Sequence, residues 1–308
     1  MKVMVTGGKG FIGSHVVELL ARQGHVVDIL DNESTGRHEN IVHLLGKKEY
    51  HIEQILADIS VFDTVNAFFK ASRPEVVFHL AAQASISESM QNPERDMVVN
   101  GIGTMNILRA AQRAGTRRIV FASTSAVYGS TVPVLMEKGC TQPESPYGIS
   151  KMAAENYLGL FGEATVLRLG NVYGPRQVPI GENQVIARMI RHALYKEPFA
   201  IHGDGYQERD YVYVEDVADA FLRAMKETGF HIYNIASGVP YSVRRVAHLL
   251  EGVLHRRVIW KHDDLWDLRR TVNLSVEMAR DQLDWKAQTA LVEGLGKTVE
   301  WWKERKSV

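Results

Sequence analysis

The segment Ser145-Pro146-Tyr147-Gly148-Ile149-Ser150-Lys151 sets a phenol and an ammonium four residues apart. Ser145 is suited to cap a helix and Pro146 to begin it, so Tyr147 and Lys151 fall one turn apart on one helix face. A phenol with a pKa near ~10 acts as a base at neutral pH only if its anion is preferentially stabilised, by about 4 kcal/mol for a shift of about three units. A buried ammonium one turn away acts in that direction. Tyrosine and lysine at this spacing are common on amphipathic helices, so the pair becomes informative through its surroundings. The preceding run Ile119-Val120-Phe121-Ala122-Ser123-Thr124-Ser125-Ala126-Val127-Tyr128-Gly129 reads as a strand whose carboxyl end releases three hydroxyls. In an open α/β sheet that end is where ligands bind, although the same hydroxyls are also able to cap backbone groups there.

A second candidate site lies at the start of the chain. Val3-Met4-Val5-Thr6-Gly7-Gly8-Lys9-Gly10-Phe11-Ile12-Gly13 places glycines 7, 10 and 13 after a strand and across the start of a helix. Gly7 permits the tight turn, Gly10 admits backbone N–H groups to a pyrophosphate at the positive helix end, and Gly13 lets helix pack on sheet. A glycine-rich βα turn with no ligand has the same letters. Asp31 adds to the pattern, because it ends the second strand about twenty residues on, where a carboxylate accepts from an adenosine ribose. A carboxylate there repels a 2′-phosphate, so the expected cofactor is NAD rather than NADP. Arg37 argues the other way, but an arginine in DNESTGRHEN is more often simply solvated.

These groups need a scaffold that brings them together. Short β-branched runs at Val3–Thr6, Val26–Leu30, Ile52–Leu56, Val76–Leu80, Ile119–Ala122 and Thr165–Leu169 alternate with helical stretches that include Phe11–Gln23, Asn100–Ala114 and Pro146–Phe161. That alternation predicts βαβ units around a parallel sheet, with Gly24 ending the first helix. Beyond Asn171 the elements shorten and turn signals multiply. The expected fold class is α/β: a doubly wound parallel Rossmann-type sheet over residues 1–172, rejoined by parts of 210–240, with a smaller C-terminal α/β substrate lobe over 173–308.

Composition narrows the partners. Lys plus Arg and Asp plus Glu both total 36 in 308 residues, so no single-sign field points to nucleic acid or a membrane surface. Cys140, the one cysteine, has no partner for a disulfide or a thiolate metal site, and this fits a reducing cytoplasm. No apolar run approaches the ~20 residues of a spanning helix, and the twelve histidines lack metal-ligand spacing, so no metal is expected.

Read together, TGGKGFIGSH, LDNESTG, Ala57-Asp58-Ile59, HLAAQASISES, the run Asn100 to Thr104, FASTSAVYG, SPYGISK, LRLGNVYGPR and HGDGYQERDYVYVEDVADA resemble the extended short-chain dehydrogenase/reductases. Within them the chain is similar to the UDP-glucose 4-epimerase-like nucleotide-sugar epimerases, nearly end to end. The resemblance implies that Gly7, Gly10, Phe11 and Ile12 line the NAD pyrophosphate, that Asp31, Asn32, Ser34 and Gly36 surround the adenosine ribose, and that Asp58 and Ile59 meet the adenine. Leu80, Ala81, Ala82 and Gln83 would pass beneath the nicotinamide half. Thr124, Tyr147 and Lys151 would be catalytic, supported by Asn100. Ser85, Ser125, Asn171, Val185 and Arg209 would reach the sugar or its diphosphate. An ion pair of Arg209 with Asp210 or Asp216, and a turn role for Asn171, are the plainer alternatives.

The resemblance also implies a shared first step, in which Tyr147 takes the proton of the sugar O4 while C4 gives hydride to NAD. Relatives that eliminate water carry Asp-Glu after the catalytic threonine, and decarboxylating relatives carry a Glu there. This chain has Ser125-Ala126, so the 4-keto sugar is expected to turn over and take its hydride back on the other face. A 4,6-dehydratase or decarboxylase borrowing an acid from elsewhere, and a non-catalytic NAD sensor, are the competing readings. The family's diphosphate-binding arginine is missing from Leu265-Trp266-Asp267-Leu268-Arg269-Arg270, where Arg269 or Arg270 would substitute. Val272 at a gate position would admit an N-acetyl group. The helices Asn100–Ala114 and Pro146–Phe161 resemble the family's homodimer elements, and Trp301 and Trp302 are expected to anchor the last helix.

Overall fold

Apart from the edge segment His51–Leu56, the strands of the first half carry apolar residues at successive positions, the pattern of a sheet covered on both faces. The structure, a computed structural model, describes residues 1–130, 134–179, 184–263 and 272–306. Strands β1 (Lys2–Thr6), β2 (Val26–Asp31), β3 (His51–Leu56), β4 (Val76–His79), β5 (Arg118–Thr124) and β6 (Ala164–Leu169) are separated by helices α1 (Phe11–Arg22), α2 (Phe62–Ser72), α3 (Ile86–Gln91), α4 (Pro93–Asp96), α5 (Gly103–Ala114) and α6 (Pro146–Phe161). There follow β7 (Asn171–Tyr173), α7 (Val185–Tyr195), β8 (Phe199–His202), β9 (Glu208–Tyr213), α8 (Val214–Ala224), β10 (Phe230–Ile235), β11 (Pro240–Ser242), α9 (Val243–Leu254), β12 (Trp260–Asp263), α10 (Glu277–Gln282) and α11 (Leu291–Lys306).

The main sheet has the order β10-β6-β5-β4-β1-β2-β3, and every pairing in it is parallel. Alternate residues feed opposite cores. Val3, Val5, Val27, Ile29, Val76 and Phe78 pack with α1 and α8 in one cluster, while Met4, Leu30, Val77, Ile119 and Phe121 pack with α2, α5 and α6 in another. The strand order reverses between β1 and β4, which opens a crevice at their carboxyl ends. A third cluster gathers α7, α9 and α11 with β8 and β9, beside a three-stranded sheet β11-β9-β7 and a two-stranded sheet β12-β8. Trp302 packs against this cluster and edges onto Trp301 at 5.5 Å between ring centres.

Most expected elements are present within a residue or two, and Gly24 follows α1 at φ 76°. The expected helix Asn100–Ala114 differs at its start. Residues Met97–Ile102 form a π-helical turn with Asn100 inside it, and the α-helix begins at Gly103. A π turn widens the backbone and re-aims its side chains, a device common at functional sites. Among the described residues no helix is long and apolar enough to cross a membrane.

Candidate active site

At the carboxyl edge of β1 the chain turns with Gly7 at φ 70°, and a Cβ there would lie 2.7 Å from Ala81 N. Gly13 is tighter still, since its Cβ would sit 2.1 Å from Gly7 O. Neither of these two positions admits a side chain, and the turn leads into α1 through Gly10, a cap with no side-chain hydrogen bond of its own. The first N–H groups of α1 thus face a cradle of bare backbone, suited to a pyrophosphate.

Asp31 ends β2, buried beside this turn. Its Oδ2 accepts from Lys9 N at 2.9 Å and its Oδ1 from Glu33 N at 2.8 Å. Those bonds fix the carboxylate while leaving further lone pairs for a ribose. Gly36 lies against it, because a Cβ there would be 2.7 Å from Asp31 Oδ1. Asn32 donates to Asp58 Oδ2 at 2.9 Å and accepts from Ser34 N at 3.1 Å. Ile59 packs on Gly103, and its carbonyl accepts from Asn106 at 3.0 Å. Together with the glycine cradle these groups form one continuous cleft edge whose shape and chemistry fit a dinucleotide.

The strip Leu80 to Gln83 leaves β4 on the near side of that edge. Leu80 N donates to Thr6 O at 3.1 Å and Ala81 N to Thr6 Oγ1 at 3.2 Å. Gln83 is tied to the interior: its N–H donates to Asn100 Oδ1 at 3.0 Å, and Asn100 Nδ2 returns a bond to Gln83 O at 3.0 Å. Asn100 Nδ2 also reaches Asp96 Oδ1 at 3.0 Å and Ser150 Oγ at 3.2 Å. Asp96 is the hub of this network, accepting from Gln83 Nε2 at 3.0 Å and from Ser150 Oγ at 2.5 Å. Burial pushes its carboxyl above the usual range, against the pull of Ser150 and the Lys151 charge.

Sequence reasoning missed Asp96 and Ser150. The available signal was spacing: Asp96 stands one turn before Asn100 and Ser150 beside Lys151, yet their meeting across two elements is not encoded in any local pattern.

Helix α6 begins as expected, with Ser145 Oγ accepting from Gly148 N at 3.1 Å. Tyr147 and Lys151 are both buried, and the Tyr147 hydroxyl is hydrogen-bonded to the side chain of Thr124, which also accepts from Ala126 N at 3.1 Å. The Lys151 ammonium donates to Ala122 O at 2.9 Å and lies 4.6 Å from the Phe121 ring centre. Burial pulls it down to about 8, while Asp96 and Glu155 hold it up. Glu155 itself is clamped by Arg168, whose Nη2 donates to Oε2 at 2.6 Å, and by Ser123.

Burial pushes Tyr147 up to about 12, with Thr124 lowering it and Asp96 raising it further. The Lys151 ammonium is aimed at the carbonyl of Ala122. The acidification expected from the ammonium together with the positive nicotinamide ring is a property of the NAD-bound site.

His79 lies behind this site, between Thr6 Oγ1 at 2.7 Å and Thr104 Oγ1 at 3.0 Å. Burial, then the Lys151 charge, lowers its pKa to about 3, so it stays neutral.

The remaining candidates stand on separate elements. Ser85 caps α3, accepting from Glu88 N at 3.2 Å, and Ser125 follows Thr124 in a 3-10 turn. Asn171 pairs with Tyr211, and Arg209 lies two residues before Tyr211 on β9, so Asn171 and Arg209 share one face of the small sheet. Arg209 Nη1 donates to Glu208 O at 2.8 Å, and the neighbouring Asp210 is engaged by Ser237 and Gly238. Val185 opens α7. Val272 is buried. Arg269 and Arg270 lie outside the described residues.

The model of the NAD dependent epimerase/dehydratase family matches residues 3–236. The chain belongs to this family. Its cofactor is NAD, in keeping with the cleft edge described above. The chain is 38% identical to the UDP-glucose 4-epimerase of Mycolicibacterium smegmatis over 99% of both chains. Among solved structures it is similar to the Thermotoga maritima UDP-glucose 4-epimerase with UDP-glucose, with a TM-score of 0.93, 37% identity, and 99% and 100% of the two chains covered. The Thermus thermophilus UDP-glucose 4-epimerase complexed with NAD matches with a TM-score of 0.90 and 35% identity, over 98% of this chain and 99% of that one.

Proposed function

We propose that this family member catalyses the NAD-dependent 4-epimerisation of a nucleotide-diphosphate sugar of the UDP-glucose/UDP-galactose type. The reading rests on one observation above others: a buried tyrosine hydroxyl bonded to Thr124, one helical turn from a buried ammonium, with Ser125 and Ala126 where an eliminating or decarboxylating enzyme needs a carboxylate. The extent of the likeness to UDP-glucose 4-epimerases supports it, at 37–38% identity over nearly the full chain.

When bound, NAD would supply the hydride acceptor and donor for sugar C4 and a positive charge near the buried phenol. Gly7, Gly10, Phe11 and Ile12 would hold its pyrophosphate, Asp31 and Asn32 its adenosine ribose, and Asp58 and Ile59 its adenine. Tyr147 takes the proton from O4 and returns it after the ketone has turned, and Thr124 orients the hydroxyl throughout. Lys151 keeps positive charge beside the tyrosine, and Asn100 fixes Gln83 under the reacting half of the site. Asn171 and Arg209 bind the diphosphate end. The proton and hydride that leave both come back, so no further acid or base is required.

The protein works as a homodimer in the cytoplasm in this reading. Met97, Val98 and Ile102 before α5, and Ile149, Tyr157 and Leu160 on α6, are exposed large apolar side chains on two helices that pack together. A second copy covering them completes a four-helix contact. The exposed lone thiol of Cys140 suits a reducing compartment.

The deciding experiment incubates the enzyme with UDP-glucose, UDP-galactose and their N-acetyl forms and analyses the products. Interconversion at C4 is expected. A 4-keto-6-deoxy sugar, or release of carbon dioxide from a uronic acid substrate, would sink the proposal. Light scattering that returned a monomer mass would remove the dimer.

A further inference from the structure

The ribose end of the cofactor site contains an ion pair that the reaction does not use. Lys9 lies inside the glycine turn and is only 5% exposed, an unusual state for a lysine. Its ammonium is held by the Glu33 carboxylate. Both partners hang on the same group, since Lys9 N and Glu33 N donate to the two oxygens of Asp31. Glu33 adopts φ 57°, in the left-handed region that is uncommon for residues with a side chain. The loop is built around Lys9, whose carbonyl accepts from Arg37 N at 3.0 Å and Asn40 Nδ2 at 2.9 Å, and Gly36 comes so close that a Cβ would be 3.0 Å from Lys9 Cβ.

Asp31 addresses the ribose whose 2′-position distinguishes NAD from NADP. A lysine buried next to that carboxylate is, by its chemistry, a binding group for a 2′-phosphate, and it opposes the repulsion from Asp31. Selection against NADP therefore needs the ammonium to be occupied. Glu33 occupies it, and the ammonium in turn holds the Glu33 carboxyl below its usual range, with a smaller pull from His38. Arg37 stands in the same loop, exposed.

We propose that Glu33 is a cofactor-specificity residue: by engaging the ammonium of Lys9, whose backbone N–H bonds to Asp31, it denies a 2′-phosphate the cation that would bind it and so completes the selection of NAD over NADP. The proposal rests on the NAD site described above.

The test titrates cofactor-stripped protein with NAD and with NADP, following intrinsic fluorescence or heat, and compares the two Kd values. E33Q should lower the NADP-to-NAD Kd ratio on the order of 10-fold at low salt, because a charge at this range is strong when partly buried and the effect fades with ionic strength. K9M should move the ratio the other way, since it removes the cation that Glu33 screens. In the K9M background, E33Q should give less of a gain than it does alone. A ratio within twofold of wild type in E33Q, or an equal gain with and without Lys9, overturns the proposal. Thermal melting checks that E33Q folds, and if it does not, the direction of the K9M shift decides. Failure of the wild-type protein to bind NAD at all is a different result, and it would overturn the cofactor site itself.

Discussion

The cofactor edge and the catalytic interior hold their polar groups in different ways. At the edge, backbone does the work: Gly7, Gly10 and Gly13 clear space, and Asp31 and Asn32 bond to N–H groups two residues away in the chain. In the interior, side chains from separate elements satisfy one another, with Gln83, Asp96, Asn100 and Ser150 drawn from a strand exit, α4, the π turn and α6. The edge is thus sensitive to volume and the interior to charge. Buried polar networks of the second kind are costly when one member is lost.

Four perturbations sharpen that contrast. Replacing the buried ammonium, as in Lys151→Met, should cut kcat on the order of 10³-fold, yet raise the melting temperature at pH 7 by a few degrees, because burial disfavours the charge it removes. Steady-state kinetics and calorimetry on one preparation check both, and a lower melting temperature would mean the ammonium is a structural support. At the edge, Gly13→Ala drives a methyl into Gly7 O and should weaken NAD binding on the order of 10²-fold, read by titration. A near-wild-type Kd would show that the turn yields more readily than its contacts suggest.

Asp96→Asn keeps the shape of the hub without its charge. It should lower kcat/KM on the order of tenfold and move the alkaline limb of the pH profile downward, since the carboxylate helps hold Lys151 up near 8. An unshifted limb with the same loss of rate would make Asp96 a purely steric support. The smallest effect concerns stability. His79 is held near pKa 3 in the fold against 6.5 when free, so the unfolded chain binds the extra proton and stability falls as pH drops from about 6.5 to about 3. Each such histidine contributes a slope of about 1.4 kcal/mol per pH unit. His79→Gln should remove that share from urea-unfolding series between pH 6 and 4, leaving the share of His15, which burial also holds near 3.

Ahead of any coordinates, the residues themselves announced the parallel sheet, the glycine turn, the cap and first turn of α6, and the approach of Tyr147 and Lys151 to one helix face. Each follows from local chemistry: short β-branched runs alternating with helical stretches, glycines where a turn leaves no room for a Cβ, a serine followed by proline, and the helical repeat. The tertiary structure decided what is reached across space. It made Asp96 a hub, put a π turn under Asn100, aimed the Lys151 ammonium at Ala122 O, and let burial hold the phenol near 12. Such outcomes depend on desolvation and on partners tens of residues distant, and neither can be read from the spacing of neighbours along a chain.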